Sequence, residues 1–562
     1  MRSTRLLLTA ILTVAAIPCR TGYTQTKTQI QTPAALTGQV VSTEEGPMEG
    51  VLVTAKESGS TVAITVVSDE QGHYRFPPTK LEPGHYAITI RAVGYDLDGP
   101  ATVDIGAQKA ATLDLKLGKT ANLAMQLTNA EWLESMPGPP EQKSYLRNCV
   151  TCHTLQLIVR STHNAGEFVH IQERMASYVN QSIPEVPQRR LADRLAVQQD
   201  RGEEALSRKQ EELLGTGGFM SSINLSKGLN WTYPLKTFPR PKGRATHVII
   251  AEYDLPKPTR QPHDVIMDSD GMVWYDSFGE EILGKLDPKT GKVTEYPLPL
   301  LKPGSPIGSL SLRPDDAGNL WVGMMYQGAA AEFDRRTEKL QTWSLPPEDN
   351  KDYTQINQTA PAHSKVDGKV WVQDAGTYTL RRLDLASGKF EVWQPFPAPS
   401  PNIYDVISDS QNNAYFTVFG ADQIGRIDAK TGKITLYKTP TPDSAPRRGS
   451  MGSRGRLWFG EYRGNRIGMF DTKTQQFHEW VPPTPWALPY DVVEDKNGEA
   501  WAGSMLTDRV TRLDPQTGQM IDYLLPRSTN IRRVFVESST TRVTFWTGND
   551  HGASIIKVEP LD

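Results

Sequence analysis

The C-terminal part of the chain repeats one pattern, and this repeat constrains the fold more than any other feature of the sequence. Between residues 244 and 562, a D-x-x-G-x-x-W motif is followed by an L-D-x-x-T/S-G turn and then by an aromatic strand ending in proline. The aromatic positions of successive units are Trp274, Trp321, Trp371, Tyr415, Trp458, Trp501 and Trp546. A period of roughly 40–50 residues, with four short strands in each unit, is typical of a β-propeller.

The outer strands of the repeat give the number of blades. They lie at residues 251–256, 294–299, 341–346, 391–396, 435–440, 478–483 and 521–526. Seven outer strands and seven aromatic strands predict a seven-bladed propeller. Because residues 251–256 precede the first aromatic strand, we expect them to complete the blade begun by residues 531–560. This closure would leave no open sheet edge in the ring.

Two segments of different character precede the propeller. Residues 34–117 alternate apolar and polar side chains between turns rich in glycine and proline, which predicts a small β-sandwich. Residues 120–230 lose this alternation and carry helical patterns instead. One predicted helix covers residues 167–178, and a second covers 192–214 and ends at Gly215. The predicted fold class is therefore mainly β and multidomain.

The first residues have the features of an export signal. Two arginines precede an apolar run from Leu6 to Ile17, which is too short for a bilayer span of ~20 residues but fits a signal peptide over residues 1–25. A lipoprotein anchor at Cys19 is the alternative. We expect no transmembrane segment in the mature chain and a periplasmic or secreted location. The near-balanced net charge of −3 gives no case for nucleic-acid binding.

The helical segment contains the sequence CVTCH at residues 149–153. Two thiols three residues apart can bond to the two vinyl groups of one haem, and the adjacent histidine can then reach the iron. The alternatives are a disulfide, a thioredoxin-like redox pair and half of a zinc site. The chain has only one further cysteine, and the βαβ context of thioredoxin is absent. The sequence therefore predicts one covalent haem c, attached at Cys149 and Cys152, with His153 as an axial ligand.

The second axial ligand has several candidates, which are His163, His170, Met175 and Met220. Phe168, Ile171 and Met175 share one face of the predicted helix, and His170 lies on roughly the opposite face. Because a haem crevice is apolar, the face that carries Met175 should point at the iron. The prediction is therefore Met175, with Met220 next.

Resemblances to known families agree with this division. Gly38, Val40, Asp69, Gly72 and Tyr74, with the G-x-Y-x-I segment at residues 84–88, resemble a carboxypeptidase regulatory-like domain over residues 34–117. The CVTCH segment and the following E-F…R-M helix resemble small c-type cytochromes fused to dehydrogenase-like propellers. These likenesses imply a spacer or adhesion module and a cytochrome c-like haem domain over residues 120–230.

The repeats at residues 244–562 resemble the streptogramin lyase, or virginiamycin B lyase-like, family. The likeness lies in PHDVIMDSDGMVWYDSF, GRLWFGEYRGNRIGMFD and LPYDVVEDKNGEAWAGS. It implies a seven-bladed fold and a lyase that uses Mg²⁺ with histidine and glutamate at the channel mouth. Glu461 matches the glutamate, whereas Arg447 stands at the position of the histidine. An arginine cannot act as a base near neutral pH, so the resemblance does not carry lyase activity.

The loops that enter the innermost strands should supply polar side chains to the central channel. The main candidates for a site there are His263, Asp264, Arg447 and Glu461. The other predicted members are Asp276, His363, Asp374, Tyr404, Asp405, Arg448, Tyr490, Asp491, Arg532, Arg533, Asp550 and His551. This mixture could bind an ion, or an anionic or sugar-like ligand.

Three functions remain open at this point. The first is a periplasmic electron-transfer protein whose propeller binds a small-molecule substrate or a redox partner protein. The second is a propeller enzyme, either a lyase or a dehydrogenase, acting at the channel mouth. The third is a binding or scaffold protein. The CVTCH motif favours the first.

Overall fold

The computed structural model describes residues 35–107, 109–192, 203–228 and 230–562. The predicted signal peptide over residues 1–25 and the alternative anchor at Cys19 lie outside these residues. Within the described part of the chain, no helix is long and apolar enough to cross a bilayer.

The N-terminal domain is a sandwich of short strands, as its alternation predicts. Its alternating inward residues form one apolar core that includes Val40, Val53, Tyr74 and Tyr86. The strands are Leu36–Ser42, Gly46–Pro47, Leu52–Glu57, Val62–Val67, His73–Phe76, Gly84–Arg91, Tyr95–Leu97, Ala101–Ile105, Ala111–Thr112 and Leu115–Lys119.

The segment after the sandwich is helical. Its α-helices are α1 (Asn129–Ser135), α2 (Pro140–Tyr145), α3 (Gln156–Val159), α4 (Ala165–Ala176) and α5 (Glu203–Ile223); short 3₁₀ helices are Leu123–Met125, Leu146–Thr151, Leu225–Lys227 and Gly243–Thr246. Helices α1 and α4 begin with reciprocal capping boxes, in which Thr128 pairs with Glu131 and Asn164 with Glu167.

The predicted end of the last helix at Gly215 is wrong, because α5 continues to Ile223. One glycine of this helix, Gly217, allows close packing. A Cβ at Gly217 would lie only 2.7 Å from the carbonyl oxygen of Ala165, so α5 can cross the start of α4 closely.

Six four-stranded antiparallel sheets and a shared seventh form the propeller. Blade 1 is Pro262–Met267, Val273–Ser277, Ile282–Leu286 and Val293–Pro297; blade 2 is Leu310–Pro314, Leu320–Gly323, Ala329–Asp334 and Lys339–Ser344; blade 3 is Ile356–Ala360, Lys369–Asp374, Thr379–Asp384 and Phe390–Trp393. Blade 4 is Ile403–Ser408, Ala414–Val418, Gln423–Ile427 and Ile434–Lys438; blade 5 is Pro446–Met451, Arg456–Glu461, Arg466–Asp471 and Gln476–Trp480; blade 6 is Pro489–Glu494, Ala500–Ser504, Arg509–Leu513 and Met520–Leu524. Blade 7 is Val534–Glu537, Thr544–Asn549, Ser554–Pro560 and Val248–Asp254.

The ring closes as the outer-strand pattern predicts. Strand Val248–Asp254 pairs antiparallel with Ser554–Pro560, and the innermost strands of blades 1 and 7 are in contact. The seven aromatic residues of the repeat are all buried. In several blades the motif aspartate accepts a hydrogen bond from the indole N–H of the motif tryptophan, as Asp495 does from Trp501 at 2.9 Å. The D-x-x-G-x-x-W spacing thus satisfies a buried donor.

The sequence did not predict that the sandwich and the propeller share a sheet. The free edge of strand Val248–Asp254 pairs with Val62–Val67, so that Ile249 lies opposite Val66 and Tyr253 opposite Val62. The result is an eight-stranded sheet that runs from blade 7 into the sandwich.

The helical segment also packs directly on the propeller. Trp132, Val150 and Phe168 share an apolar cluster with Tyr490 and Leu506 of blade 6. The backbone N–H of Ala130 donates to the carbonyl of Leu506 at 2.9 Å. The channel mouth therefore borders the helical segment that carries CVTCH, and substitutions at the mouth are not confined to a separate domain.

Candidate functional site

The CVTCH residues lie at the end of a tight turn. Residues Leu146–Thr151 form a 3₁₀ helix, and the carbonyl of Cys149 accepts from the backbone N–H groups of Cys152 and His153 at 3.2 and 3.3 Å. This turn brings Cys149, Cys152 and His153 to the wall of one cavity of about 570 Å³, which we call the CVTCH cavity.

The CVTCH cavity is lined largely by apolar side chains from α4, α5 and the segment after α4. They include Phe168, Ile171, Met175, Val179, Ile183 and Met220. A concave, mostly apolar site with a few polar groups is the usual form of a cofactor pocket. The residues present therefore fit a haem, with two thiols for attachment, two imidazoles and two methionines around a largely apolar space.

A hydrogen bond at Nδ1 of His153 leaves Nε2 as the ring nitrogen that could bind a metal. Its Nδ1 donates to the carbonyl oxygen of Thr154 at 2.9 Å. This bond fixes the tautomer in which Nε2 carries the lone pair, which is the arrangement found in metal-binding histidines.

The two thiols do not resemble a zinc site or a reactive redox pair. Burial raises the pKa of Cys149 to about 12 and also raises the pKa of Cys152. A thiol that stays protonated is a poor nucleophile, so these surroundings disfavour a reactive redox pair. Among the described residues, the cysteines also do not belong to any group of three convergent metal-binding atoms.

The candidates for the second axial ligand differ in position. Met175 and Met220 both line the CVTCH cavity, as does His163, whereas His170 does not. The side chain of His170 is 84% exposed, which agrees with its predicted place on the opposite helix face. Met220 is buried in the apolar cluster, but Met175 is 38% exposed. Of the two cavity methionines, Met220 is thus packed in the protein core and Met175 is not.

Blade 7 holds the backbone of the CVTCH turn. Asn530 Nδ2 donates to the carbonyl of Val150 at 2.7 Å, and Arg532 Nη2 donates to that of Thr151 at 2.8 Å. His551 Nε2 lies 3.4 Å from the same Thr151 oxygen. The sequence places Arg532 and His551 at the channel mouth, but it carries no signal for their contact with CVTCH or for Asn530.

The centre of the channel contains an ordered chain of hydrogen bonds. His263 Nδ1 donates to Asp264 Oδ1 at 2.6 Å, and its Nε2 accepts from the Tyr490 hydroxyl at 3.1 Å. The Tyr490 hydroxyl lies 2.6 Å from that of Tyr404. Burial lowers the pKa of His263 to about 3, so the imidazole is neutral and its two nitrogens have opposite roles.

The adjacent arginines are buried within the protein and do not face an open mouth. Arg448 Nη1 contacts both carboxylate oxygens of Asp264, at 3.0 and 2.7 Å, and both side chains are fully buried. Arg447 lies among the rings of Tyr404, Phe419, Tyr462 and Tyr490, with centroid distances of 4.1 to 5.3 Å. Neither guanidinium is placed to attract an anion from solvent.

The acidic residues of the channel do not fit Mg²⁺ well. His263, Asp264 and Asp276 form a buried group whose ligand atoms lie within 4.8 Å of one another. Burial would raise the pKa of Asp264, but Arg448 holds it below its ordinary value and already neutralises the charge. Burial and the charge of Asp264 raise the pKa of Asp276 well above its ordinary value. The Arg448 guanidinium already occupies both oxygens of Asp264, so a hard dication would have to compete with it for this carboxylate.

Glu461 is fully buried at the end of its strand. Neither carboxylate oxygen has a hydrogen-bond partner among the described residues. Burial, together with repulsion from Glu479, raises the pKa of Glu461 to about 9. The side chain is therefore a neutral acid at pH 7 and cannot serve as a base.

The prediction that His363 lies in a loop that enters an innermost strand, as His263 does, is wrong. The innermost strand of blade 3 is Ile356–Ala360, so His363 follows this strand, whereas His263 lies at the start of its own. His363 Nδ1 lies 3.0 Å from the hydroxyl of Ser408, the last residue of the next inner strand. His363 therefore lies at the end of the channel opposite His263.

Comparison with known families decides the relationship of the propeller. The model of the virginiamycin B lyase family matches residues 243–452 and 431–560, which together are more than half of the chain. The chain belongs to the virginiamycin B lyase family. The carboxypeptidase regulatory-like domain model matches residues 35–118, in agreement with the predicted sandwich. A comparison with curated proteins found no match.

Solved structures similar to this member of the virginiamycin B lyase family include two lyases. Virginiamycin B lyase from Staphylococcus aureus is 22% identical, with a TM-score of 0.47 over 55% of this chain and 98% of the other. A streptogramin B lyase is also 22% identical, with a TM-score of 0.48 over 56% and 99%. The extracellular domain of a one-component system, BT4673 from B. thetaiotaomicron, is 14% identical, with a TM-score of 0.41 over 53% and 39%.

Proposed function

We propose that this protein is an exported electron-transfer protein that carries one covalent haem c beside the mouth of a ligand-binding propeller. The observation that carries this proposal is the largely apolar CVTCH cavity, whose wall holds Cys149, Cys152, His153 and Met175. Bound there, a haem would supply one-electron transfer. The protein's own residues would attach it through two thiols, orient His153 through Thr154, and exclude water with the apolar wall.

Blade 7 supports a link between such a haem and the propeller. Asn530 and Arg532 are fully buried and hold the backbone of residues 150 and 151. These donors come from the channel mouth. They would therefore fix the distance and orientation between the haem and a ligand or redox partner at the propeller. The partner would be a small molecule or a redox protein that reaches this face.

Removal of both thiols should abolish covalent haem. A Cys149→Ala/Cys152→Ala variant, expressed with cytochrome c maturation factors, should lose essentially all haem stain after denaturing electrophoresis, because no thioether can form. His170→Ala is the matched control, since His170 is exposed and lies outside the CVTCH cavity, and it should keep full stain. A native protein without haem stain would refute the proposal.

Met175 would be the second residue, with His153, to bind the iron of a haem in the CVTCH cavity. Met175→Ala should remove the weak far-red band typical of a ferric haem with histidine and methionine ligands, and should lower the reduction potential. Met220→Ala tests the other cavity methionine, and Met125→Ala, at an exposed position outside the cavity, is the control. If the band survives in Met175→Ala and disappears in Met220→Ala, the ligand is Met220.

Membership in the virginiamycin B lyase family favours a second candidate, a lyase acting at the channel mouth. The site provides little support for that chemistry, because Arg447 is enclosed by aromatic rings and Glu461 is protonated. Mg²⁺-dependent opening of a streptogramin B ring by the purified protein would establish the lyase. We expect no such turnover.

A further inference from the structure

A second cavity, of about 230 Å³, lies on the propeller face below the segment that follows α4. Blades 1 to 4 form its floor, and Asn180, Gln181 and Arg190 of the helical segment form its roof. Side-chain amides are the commonest group in the lining, so we call it the amide cavity. The amides that its argument uses are Gln181, Asn357, Gln358 and Gln373.

The amides of this cavity have hydrogen-bonding capacity that the protein does not use. Gln181, Gln358 and Gln373 are each 1% exposed. Within the described part of the chain, the side-chain carbonyl oxygens of these three residues and of Asn357 accept no hydrogen bond. Buried amide oxygens are normally paired, so four of them around one cavity indicate a ligand that donates hydrogen bonds.

The groups around the amide cavity disfavour ions as its natural occupant. No carboxylate is among the described residues that line it, and Arg190 is its one cationic group. An inorganic cation would meet Arg190 without a compensating anion. An anionic ligand would face four carbonyl oxygens, and burial keeps the lining imidazole of His263 neutral.

We propose that the amide cavity binds a small neutral polyhydroxylated molecule, such as a monosaccharide or cyclic polyol. Hydroxyl groups donate to carbonyl oxygens and accept from amide N–H groups, which matches side chains that offer both. The ring of Phe278 also lines the space and offers an apolar surface for the C–H groups of such a ligand. This assignment deepens the proposed function, because it names the ligand class of the propeller.

The position of the amide cavity relates it to the haem site. Asn180 and Arg190 line both this cavity and the CVTCH cavity. The carbonyl oxygen of Asn180 also lies 3.7 Å from Cys152 Sγ. A ligand in the amide cavity would therefore be separated from the haem attachment site by a wall of shared residues.

Calorimetric titration of the full-length protein tests the proposal. The probes are glucose, myo-inositol, the charged analogues gluconate and glucosamine, and CaCl₂. We expect a neutral probe to bind, both charged analogues to bind more weakly, and CaCl₂ not to bind at this cavity. Gln358→Leu is the main variant, because the amide oxygen of Gln358 has no partner to lose, and it should weaken binding at least about fivefold. Gln373→Leu should act in the same direction.

Gln156→Leu is the matched control, since Gln156 also has an unpartnered amide oxygen but lies outside the amide cavity. It should bind the neutral probe as the wild type does. The proposal is overturned if neither neutral probe binds, if both cavity variants bind like the wild type, or if CaCl₂ binds in their place. Calorimetry does not depend on haem, so the two proposals can fail separately. If the native protein has no haem but binds glucose, only the haem proposal is refuted. If the native protein carries haem but binds neither glucose nor myo-inositol, only the ligand proposal for the amide cavity is refuted.

Discussion

Arg448→Met should lower the free energy of unfolding by about 3–5 kcal/mol. Arg448 and Asp264 are fully buried, and the guanidinium contacts both oxygens of the carboxylate. Removal of the arginine leaves Asp264 charged within the propeller, with His263 as its remaining side-chain partner. Removal of one member of a buried ion pair costs more than the pair contributes, because the other charge stays desolvated.

A double variant separates this penalty from the value of the pair. Arg448 Nε and Nη2 have no hydrogen-bond partner among the described residues, so the pair is incompletely satisfied. The double variant Asp264→Leu/Arg448→Met should therefore lose less free energy of unfolding than the sum of the losses in the two single variants. The measurement is urea unfolding followed by tryptophan fluorescence. Arg463→Met, which removes a surface pair between the half-buried Arg463 and the exposed Asp443, is the control and should cost at most about 1 kcal/mol. Equal losses in Arg448→Met and Arg463→Met would contradict the assignment.

Glu461 should make the protein less stable as the pH rises. The pKa of Glu461 is raised from an ordinary value of 4.5 to about 9, mainly by burial. Between these two values the unfolded chain loses the proton and the folded protein keeps it. Folding therefore loses stability with increasing pH over this window, by up to about 1.4 kcal/mol per pH unit.

Glu461→Gln should remove this component, because the amide is neutral at every pH. The variant and the wild type should be similar in stability near pH 4, and the variant should be the more stable at pH 8. Glu281, whose pKa burial raises to about 8, adds a slope of the same sign that Glu461→Gln leaves in place. Glu82→Gln, at an exposed position, is the control. If urea midpoints of the wild type and Glu461→Gln change in parallel from pH 4 to pH 8, Glu461 is ionised in the folded protein.

The repeat made the propeller predictable, because each blade is a local unit. Trp501 and Asp495 are six residues apart, and their hydrogen bond can be inferred within one repeat. The ring closure was equally accessible, since an unmatched first strand and an unmatched last blade leave one pairing that removes both edges.

Contacts between distant parts of the chain were not predictable in the same way. Asp264 and Arg448 are 184 residues apart, and nothing in the local sequence of either indicates the other. The sequence placed Arg448 among polar channel residues, and its complete burial against Asp264 changed its role. The glutamines of the amide cavity gave no signal, because glutamine is common on surfaces and only the fold shows that Gln358 and Gln373 are enclosed.

The shared sheet has a consequence for the helical segment between the sandwich and the propeller. Residues 62–66 pair with residues 249–253, so the chain leaves this sheet, forms the helical segment and returns to the sheet it left. The helical segment is therefore an insertion whose two ends are both anchored in the same folded unit, and not a domain joined by a flexible linker. Direct packing on blade 6 holds it against the propeller as well. A haem in the CVTCH cavity would thus keep a fixed distance to a ligand or redox partner bound at the propeller, and electron transfer within such a complex should be independent of solvent viscosity.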